Sequence, residues 1–356
     1  MRPQLLPSLD QLWRDHDTVQ LGLDPRRAIV FSGLHSGISQ VLAVLDGRHT
    51  LADISRVAQR HGVSHGQLEA FLSQLSDANV LLDSDDTALP SQLPTAARRR
   101  IAPDLAALSL TYSRRAADVF RRRTASNVVI YGEGRIAPVI GALLASSGVG
   151  RVHIYGGDKA AVTDACVGGL LPDDDQRSYG IAAHEAIRRA APETNTRPPH
   201  PSKVPEFVVL ARGSTCGRQQ LSRHAHRGAP HLPVLLRDGT AIIGPLVIPG
   251  QTACLHCLDL HRRDRDPAWP TLMSQLATYP RRPEASHVAL ATAAAALAGM
   301  QVLAFLDGEP ASTIGAALEL DGLRTLVRRR AWSPHPECNC VRRRPTRRTP
   351  ATTQAA

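Results

Sequence analysis

The first eighty residues alternate between two hydrophobic periods. Val19, Leu21 and Leu23 repeat every second residue, and an apolar run at residues 28–31 follows the turn pair Asp24-Pro25, so two short strands are expected. The period then lengthens. Ile38, Val41, Leu42 and Leu45 share one face of a helix that stops at Asp46-Gly47. A second helix opens with Thr50 as N-cap and Asp53 at the capping-box position, and its buried side is expected to hold Leu51, Ile54 and Val57. A third starts at Ser64, with Gln67 three residues on, and presents Leu68, Phe71, Leu72 and Leu75. The run "VLLD" at residues 80–83 reads as a returning strand. This order of elements predicts a small winged-helix arrangement over residues 1–85.

Residues 86–124 are rich in Ser, Thr, Pro and Ala and read as a linker carrying "ARRRIAPD". A βαβ pattern follows. "VVIYG" is a buried strand, Gly132 and Gly134 make a G-x-G turn, residues 137–147 form a helix, and "RVHIYGGD" supplies the next strand with Asp158 behind it. A Rossmann-type α/β fold is therefore expected over residues 125–340, with Gly132, Gly134 and Asp158 as candidate nucleotide contacts. The third glycine of that fingerprint is replaced by Ala137 or Pro138. The same order of elements also serves a fold that binds no nucleotide.

Residues 288–306 carry no charge and match a bilayer in length. Their middle, "ATAAAALAGM", gains little from transfer into lipid, so a buried helix is expected there and not a membrane span. "TIGAALELDGLRTLVRRRAW" predicts two apolar strands around an Asp-Gly turn. Residues 341–356 lack core-forming side chains and read as a disordered basic tail.

Composition changes this picture in two places. At 356 residues the chain has room for two or three packed units. Its net charge of +10 suggests nucleic acid, yet Lys159 and Lys203 are the only lysines, and arginine with abundant alanine reads as base composition of the gene. Residues 1–90 hold seven arginines against eleven acidic residues, a net of −4, and the third helix opens "SHGQLEAF" without an arginine to fork onto guanine. A DNA-binding regulator is thus a secondary reading, behind a peptide-binding winged helix. Six cysteines in a long chain, with no charged and then apolar stretch at Met1, point to a reduced, cytoplasmic setting.

The cysteines supply the strongest candidate chemistry. Cys254 and Cys257 form C-x-x-C and Cys338 and Cys340 form C-x-C, each pair in a turn-rich setting. Four thiolates from two such knuckles make a closed tetrahedral zinc site. A redox C-x-x-C and unrelated buried cysteines are the rivals, and His256 or His261 can replace a thiolate as ligand. Cys166 and Cys216 stand alone and read as small buried hydrophobes. After the first pair, Arg262, Arg263 and Arg265 alternate with Asp264 and Asp266. Such a run is either a set of solvated pairs or, with Trp269 as anchor, a surface that docks a partner.

Two stretches carry a family resemblance. "VQLGLDPRRAIVFSGL", "VLAVLDGRHTLADI" and "NVLLD" are similar to the PqqD-like recognition element, whose members bind the leader of a ribosomally made precursor peptide by adding it as a strand beside the third helix. From residue 125 onward the order of elements resembles the ThiF/MoeB family, the adenylating fold of ubiquitin-activating enzymes. "GPLVIPGQTACLHCLDLHRRDRDPAWP" resembles the ThiF-like partner protein of thiazole/oxazole-modified microcin biosynthesis, also called the cyclodehydratase C component or ocin-ThiF-like protein. That resemblance implies a structural zinc on the four cysteines, a leader peptide and a YcaO protein as partners, and a fold that often forms homodimers. It also implies where ATP machinery belongs. Asp164 stands where the family has an Asn, no arginine follows it, Arg177 is the cation nearest the expected lysine, and Arg212 replaces the metal-binding aspartate. Without those groups the triphosphate loses its electrostatic support, so a non-catalytic presenter of the bacteriocin-like precursor is expected, with ATP and Mg²⁺ not expected as cofactors. A true adenylyltransferase is the alternative.

Overall fold

The computed structural model describes residues 1–84, 93–211, 228–278 and 285–340. The chain divides into two compact units, Met1–Arg122 and Arg123–Ala356. In the first, strands β1 (Pro3–Leu5), β2 (Gln11–Trp13), β3 (Val19–Leu21) and β4 (Ile29–Phe31) precede helices α1 (Ile38–Ala43), α2 (Leu51–Arg60) and α3 (His65–Asp77), and β5 (Leu81–Asp83) closes the set. β2, β3 and β4 form an antiparallel sheet in that order, while β1 pairs with β5. Both expected capping boxes form, Thr50 with Asp53 and Ser64 with Gln67. Val19, Leu21, Phe31, Ile38, Val41, Leu42, Ile54, Leu68, Phe71 and Leu75 make the core. Leu51 does not join it. As the first residue of α2 it is 43% exposed, and Ala58, four residues after Ile54, takes the buried stripe instead.

The linker expected over residues 86–124 is largely helical where it is described. α4 (Thr95–Tyr112) and α5 (Ala116–Ala125) occupy it, and Ile101, Leu108, Val119 and Phe120 pack into a separate small cluster. Ala97, Ile101 and Leu108 already follow a helical period, which three successive arginines and Pro103 obscure in the sequence.

The second unit is built on a seven-stranded sheet. Its elements are β6 (Asn127–Gly132), α6 (Ile136–Ser146), β7 (Arg151–Tyr155), α7 (Tyr179–Ala190), β8 (Phe207–Ala211), β9 (His231–Arg237), β10 (Thr240–Ile243), α8 (Leu255–Arg265), α9 (Trp269–Thr278), α10 (Val288–Asp307), β11 (Ala316–Asp321) and β12 (Val327–Ala331). The strand order is β12-β11-β10-β9-β8-β6-β7. From β7 to β9 the pairings are parallel, and from β9 to β12 antiparallel.

Ile140 and Leu144 of α6 lie in one core with Leu290, Ala291, Ala294, Ala295, Ala298 and Val302 of α10. α10 is the one helix among the described residues long and apolar enough to cross a bilayer, and this alanine-lined side of it is buried in protein. Its last residue, Asp307, takes two hydrogen bonds from the buried Arg123 guanidinium, at 2.7 and 2.5 Å. The second strand of the predicted hairpin departs from expectation. β12 reads "VRRRA" and is mostly exposed, because an edge strand needs only one partner and charge protects its free side.

Candidate metal centre and nucleotide crevice

Two local structures bring the four cysteines together. Cys254 is the N-cap of α8, so Cys257 lies one turn into that helix, while Cys338 and Cys340 follow β12 in the segment "SPHPECNC". All four Sγ atoms lie within 4.8 Å of one another. Cys254 and Cys257 are 3.8 Å apart, Cys254 and Cys338 3.6 Å, and Cys257 and Cys340 3.4 Å. Zinc–thiolate bonds of about 2.3 Å place the sulfurs of a tetrahedron roughly 3.8 Å apart, so the donor set fits a closed metal site. None of these distances is that of a disulfide. Burial pushes the Cys254 thiol up to about 11 and raises Cys340 also. At Cys257 burial acts in the same sense, but hydrogen bonds from the His335 and Cys254 backbone outweigh it and lower the pKa. A bound cation removes the cost of gathering such groups as thiolates.

The histidines weighed as substitute ligands do other work. His261 Nε2 lies 2.9 Å from the Ser333 carbonyl oxygen, and His256 is exposed. The arginine–aspartate run, in turn, is a clasp. Asp264 meets the buried His335 at 2.7 Å, and Arg263 bridges Asp264 and Glu337. Through these pairs α8 holds the segment that carries the second cysteine pair. Trp269 donates its indole N–H to Asp259 at 3.3 Å and lies under the Arg262 guanidinium. Cys166 is buried near Thr292, and Cys216 falls outside the described residues.

The crevice at the carboxyl ends of β6 and β7 holds the other candidates. Gly132 closes β6 so tightly against β8 that a Cβ there would overlap the Ala211 carbonyl oxygen. Gly134 has φ +79°, which only glycine adopts freely, and its carbonyl accepts the buried Tyr179 hydroxyl at 2.9 Å. Asp158 follows β7 with its side chain exposed. Between these landmarks the Glu133 carboxylate is buried beside Gly157, where a Cβ would overlap its Oε2.

The expected ATP-handling positions are diverted. Asp164 is buried and accepts from the Ala161 N–H, closing the turn Val162–Asp164. Arg177 is bound by Glu185 at 2.9 Å and by Asp174 at 2.5 Å, and these carboxylates raise its pKa. Arg212 lies outside the described residues. One cation escaped the sequence reading. Arg135, directly behind the G-x-G turn and at the N-cap of α6, donates to the main-chain carbonyls of Thr163 and Ser286, both at 2.8 Å. Its position beside the motif was the available signal.

The sequence matches no protein-family model and no curated relative. Solved structures do match. MccB of E. coli, crystallised with ATP, superposes with a TM-score of 0.66 over 96% of this chain and 99% of its own, at 14% identity. The microcin C7 biosynthetic enzyme MccB in complex with N-formylated MccA gives 0.65 at 13% identity, again over 96% of this chain and 100% of that one. This chain shares the MccB fold. PaaA has it as well, with a TM-score of 0.66 and 17% identity over 92% of this chain and 99% of PaaA. The expected α/β fold class of the larger unit holds, with a parallel half-sheet from β7 to β9. At these identities the likeness is one of fold.

Proposed function

We propose that this chain binds the leader of a ribosomally made precursor peptide and presents it to a YcaO-type cyclodehydratase in the cytoplasm, without adenylation chemistry of its own. The observation that carries the reading is the edge of the N-terminal three-stranded sheet. β4 pairs with β3 alone among the described residues, Val30 is 41% exposed on it, and Phe31 sets its ring edge-on to Phe71 of α3 at 5.9 Å. An open strand edge beside a helix is what an extended peptide needs. Main-chain hydrogen bonds supply affinity, and side-chain pockets against the helix supply selectivity. On this reading residues 1–85 are a PqqD-like recognition element of winged-helix type, and Zn²⁺ on Cys254, Cys257, Cys338 and Cys340 is structural. MccB, solved with a precursor peptide, is a precedent for peptide binding on this fold.

The non-catalytic half rests on the crevice. A carboxylate, Glu133, occupies it, Asp164 serves its own turn, and Arg177 is spent on Asp174 and Glu185. The second reading, an adenylyltransferase, draws on Arg135, whose partners among the described residues are main-chain carbonyls, and on the likeness to MccB solved with ATP. Calorimetry with MgATP and a pyrophosphate-exchange assay decide between them. Neither binding nor exchange is expected, and robust exchange replaces the first reading by the second. Leader binding is tested by fluorescence polarisation with labelled leaders of precursor peptides from YcaO-containing gene clusters. Val30→Pro, which removes a main-chain donor at the β4 edge, should weaken a leader that binds by about tenfold or more. Failure of every leader to bind the wild-type chain overturns the proposal.

A further inference from the structure

The far half of the sheet carries a second recognition feature. Along β9 and β10 the side chains alternate by face: Leu232, Val234, Leu236, Ala241 and Ile243 enter the core shared with α6 and α10. Leu235, Arg237 and Ile242 take the opposite face and stay half-exposed. There, with Leu258, Arg262 and Met273, they line a cavity of about 100 Å³ under α8 and α9. Its floor is aliphatic, and its rim carries two guanidinium groups and the Asp259 carboxylate.

The charge at that rim is unbalanced. Arg262 lies 4.9 Å from the Trp269 ring centroid and 5.6 Å from that of Trp332, and Arg330 approaches Trp332 at 4.7 Å. Burial, and then the nearby Arg237 and Arg330, lower the pKa of Arg262, while Asp259 and Glu319 act the other way. Among the described residues, Arg237 and Arg330 thus bear on Arg262, Arg265 shares the Trp332 ring with it at 5.6 Å, and Asp259 and Glu319 are the carboxylates that act on it. The indole N–H of Trp332 is buried in this cluster without an acceptor among the described residues. Like charges held together in a half-buried site favour an anion of complementary size.

The same face also carries a continuous row. By register, Tyr155 neighbours Tyr131, Tyr131 neighbours Leu210, and Leu210 neighbours Pro233, so all four lie on this face. The two tyrosine rings stack at 5.1 Å, and Tyr155 is 39% exposed. An apolar row therefore runs from the cavity across the sheet, close to the carboxyl ends of the parallel strands, where α/β sheets take their ligands.

We propose that this cavity receives an aliphatic side chain of the bound peptide, and that Arg237 and Arg262 hold the carboxylate of an acidic residue next to it. The inference rests on the peptide-binding reading and places a second contact on the larger unit, selective for an aliphatic–acidic pair. A cavity of this volume accepts one side chain of about leucine size, and the guanidinium pair discriminates Asp from its neutral isostere.

The two tryptophans beside Arg262 give the readout. The full-length chain, with Trp13→Phe to remove the fluorophore of the N-terminal unit, is titrated with acetyl-Ala-Leu-Asp-Ala-amide and with its Asn and Gly-Asp counterparts. Saturable change in tryptophan emission is expected for the Leu-Asp peptide, with the other two about tenfold weaker or worse. Arg237→Gln should erase the preference for Asp over Asn, and Ile242→Phe should erase that for Leu over Gly, both with unchanged melting temperature. Equal response to Asp and Asn peptides, or no saturation with any, overturns the site. Because these peptides contain no leader, the outcome is independent of whether a leader binds at β4.

Discussion

The cysteine knuckles and the glycine-rich crevice were both read from short motifs, and they fared differently in three dimensions. At the knuckles two pairs separated by more than eighty residues converge to sulfur distances of 3.4 to 3.8 Å, with a clasp of Asp264, His335, Arg263 and Glu337 holding them. At the crevice the residues serve local backbone geometry, apart from Asp158, whose side chain is exposed. Gly132 allows a strand to approach, Gly134 accommodates a left-handed turn, and Asp164 closes a turn of its own. The contrast lies in how many uses a residue type has. Four thiols within reach of one cation have few purposes besides holding it, whereas glycines and carboxylates serve backbone geometry in any fold.

The largest effect should come from the knuckles. Cys257→Ser removes the most buried ligand, and a structural zinc contributes on the order of 10 kcal/mol to the fold it closes. Elemental analysis should find one zinc per wild-type chain and none in the variant, with the melting temperature lower by roughly 10 °C or more. Cys166→Ser, a buried cysteine outside the cluster, should keep its zinc. Equal metal content in the Cys257 variant and the wild type breaks the comparison at its stronger side.

How much was legible follows the same division. Both capping boxes and the N-terminal core face were readable because helix caps and a 3.6-residue period are local signals. β1 and β2 were missed because β1 opens on a proline and β2 is exposed throughout, so neither carries an alternating run of strand-forming residues bounded by turn signals. α4 was hidden by its arginines and Pro103, while the hairpin of β11 and β12 was read and only the charge of β12 departs from the apolar strand expected. In the site, the cysteines were legible as a pattern, but the clasp was not, since Asp264 and His335 meet only after β11 and β12 have turned the chain back toward α8. Arg135 was overlooked because the glycines on either side of Glu133 drew the reading, and neither its carbonyl partners nor the burial of Glu133 has a local signature.

A middle-sized effect tests whether the crevice glycines are architectural. Gly132→Ala drives a Cβ into the Ala211 main chain across a parallel pairing, and main chain cannot swing aside. A cost of more than about 2 kcal/mol is expected in the absence of any nucleotide. Gly66→Ala is the control, a helical glycine in open space, and should instead stabilise by roughly 0.5–1 kcal/mol. If urea unfolding shows Gly132→Ala to be neutral, the close approach of β6 and β8 is not what fixes that residue.

The smallest expected effect is the sharpest division between the two readings of the crevice. Asp158 ends the βαβ signature, where a dinucleotide fold would place its ribose carboxylate, and here the side chain is exposed. If the crevice binds no nucleotide, Asp158→Ala removes only a solvated charge, so stability should change by no more than about 0.5 kcal/mol and leader affinity should stay within twofold. If the chain adenylates its substrate, the same substitution removes a ligand contact, and pyrophosphate exchange should fall while the fold is untouched. The variant therefore separates the readings without disturbing the architecture they share. A loss of leader binding in Asp158→Ala with an unchanged melting temperature would contradict both, since it would place the peptide, and no nucleotide, at the end of β7.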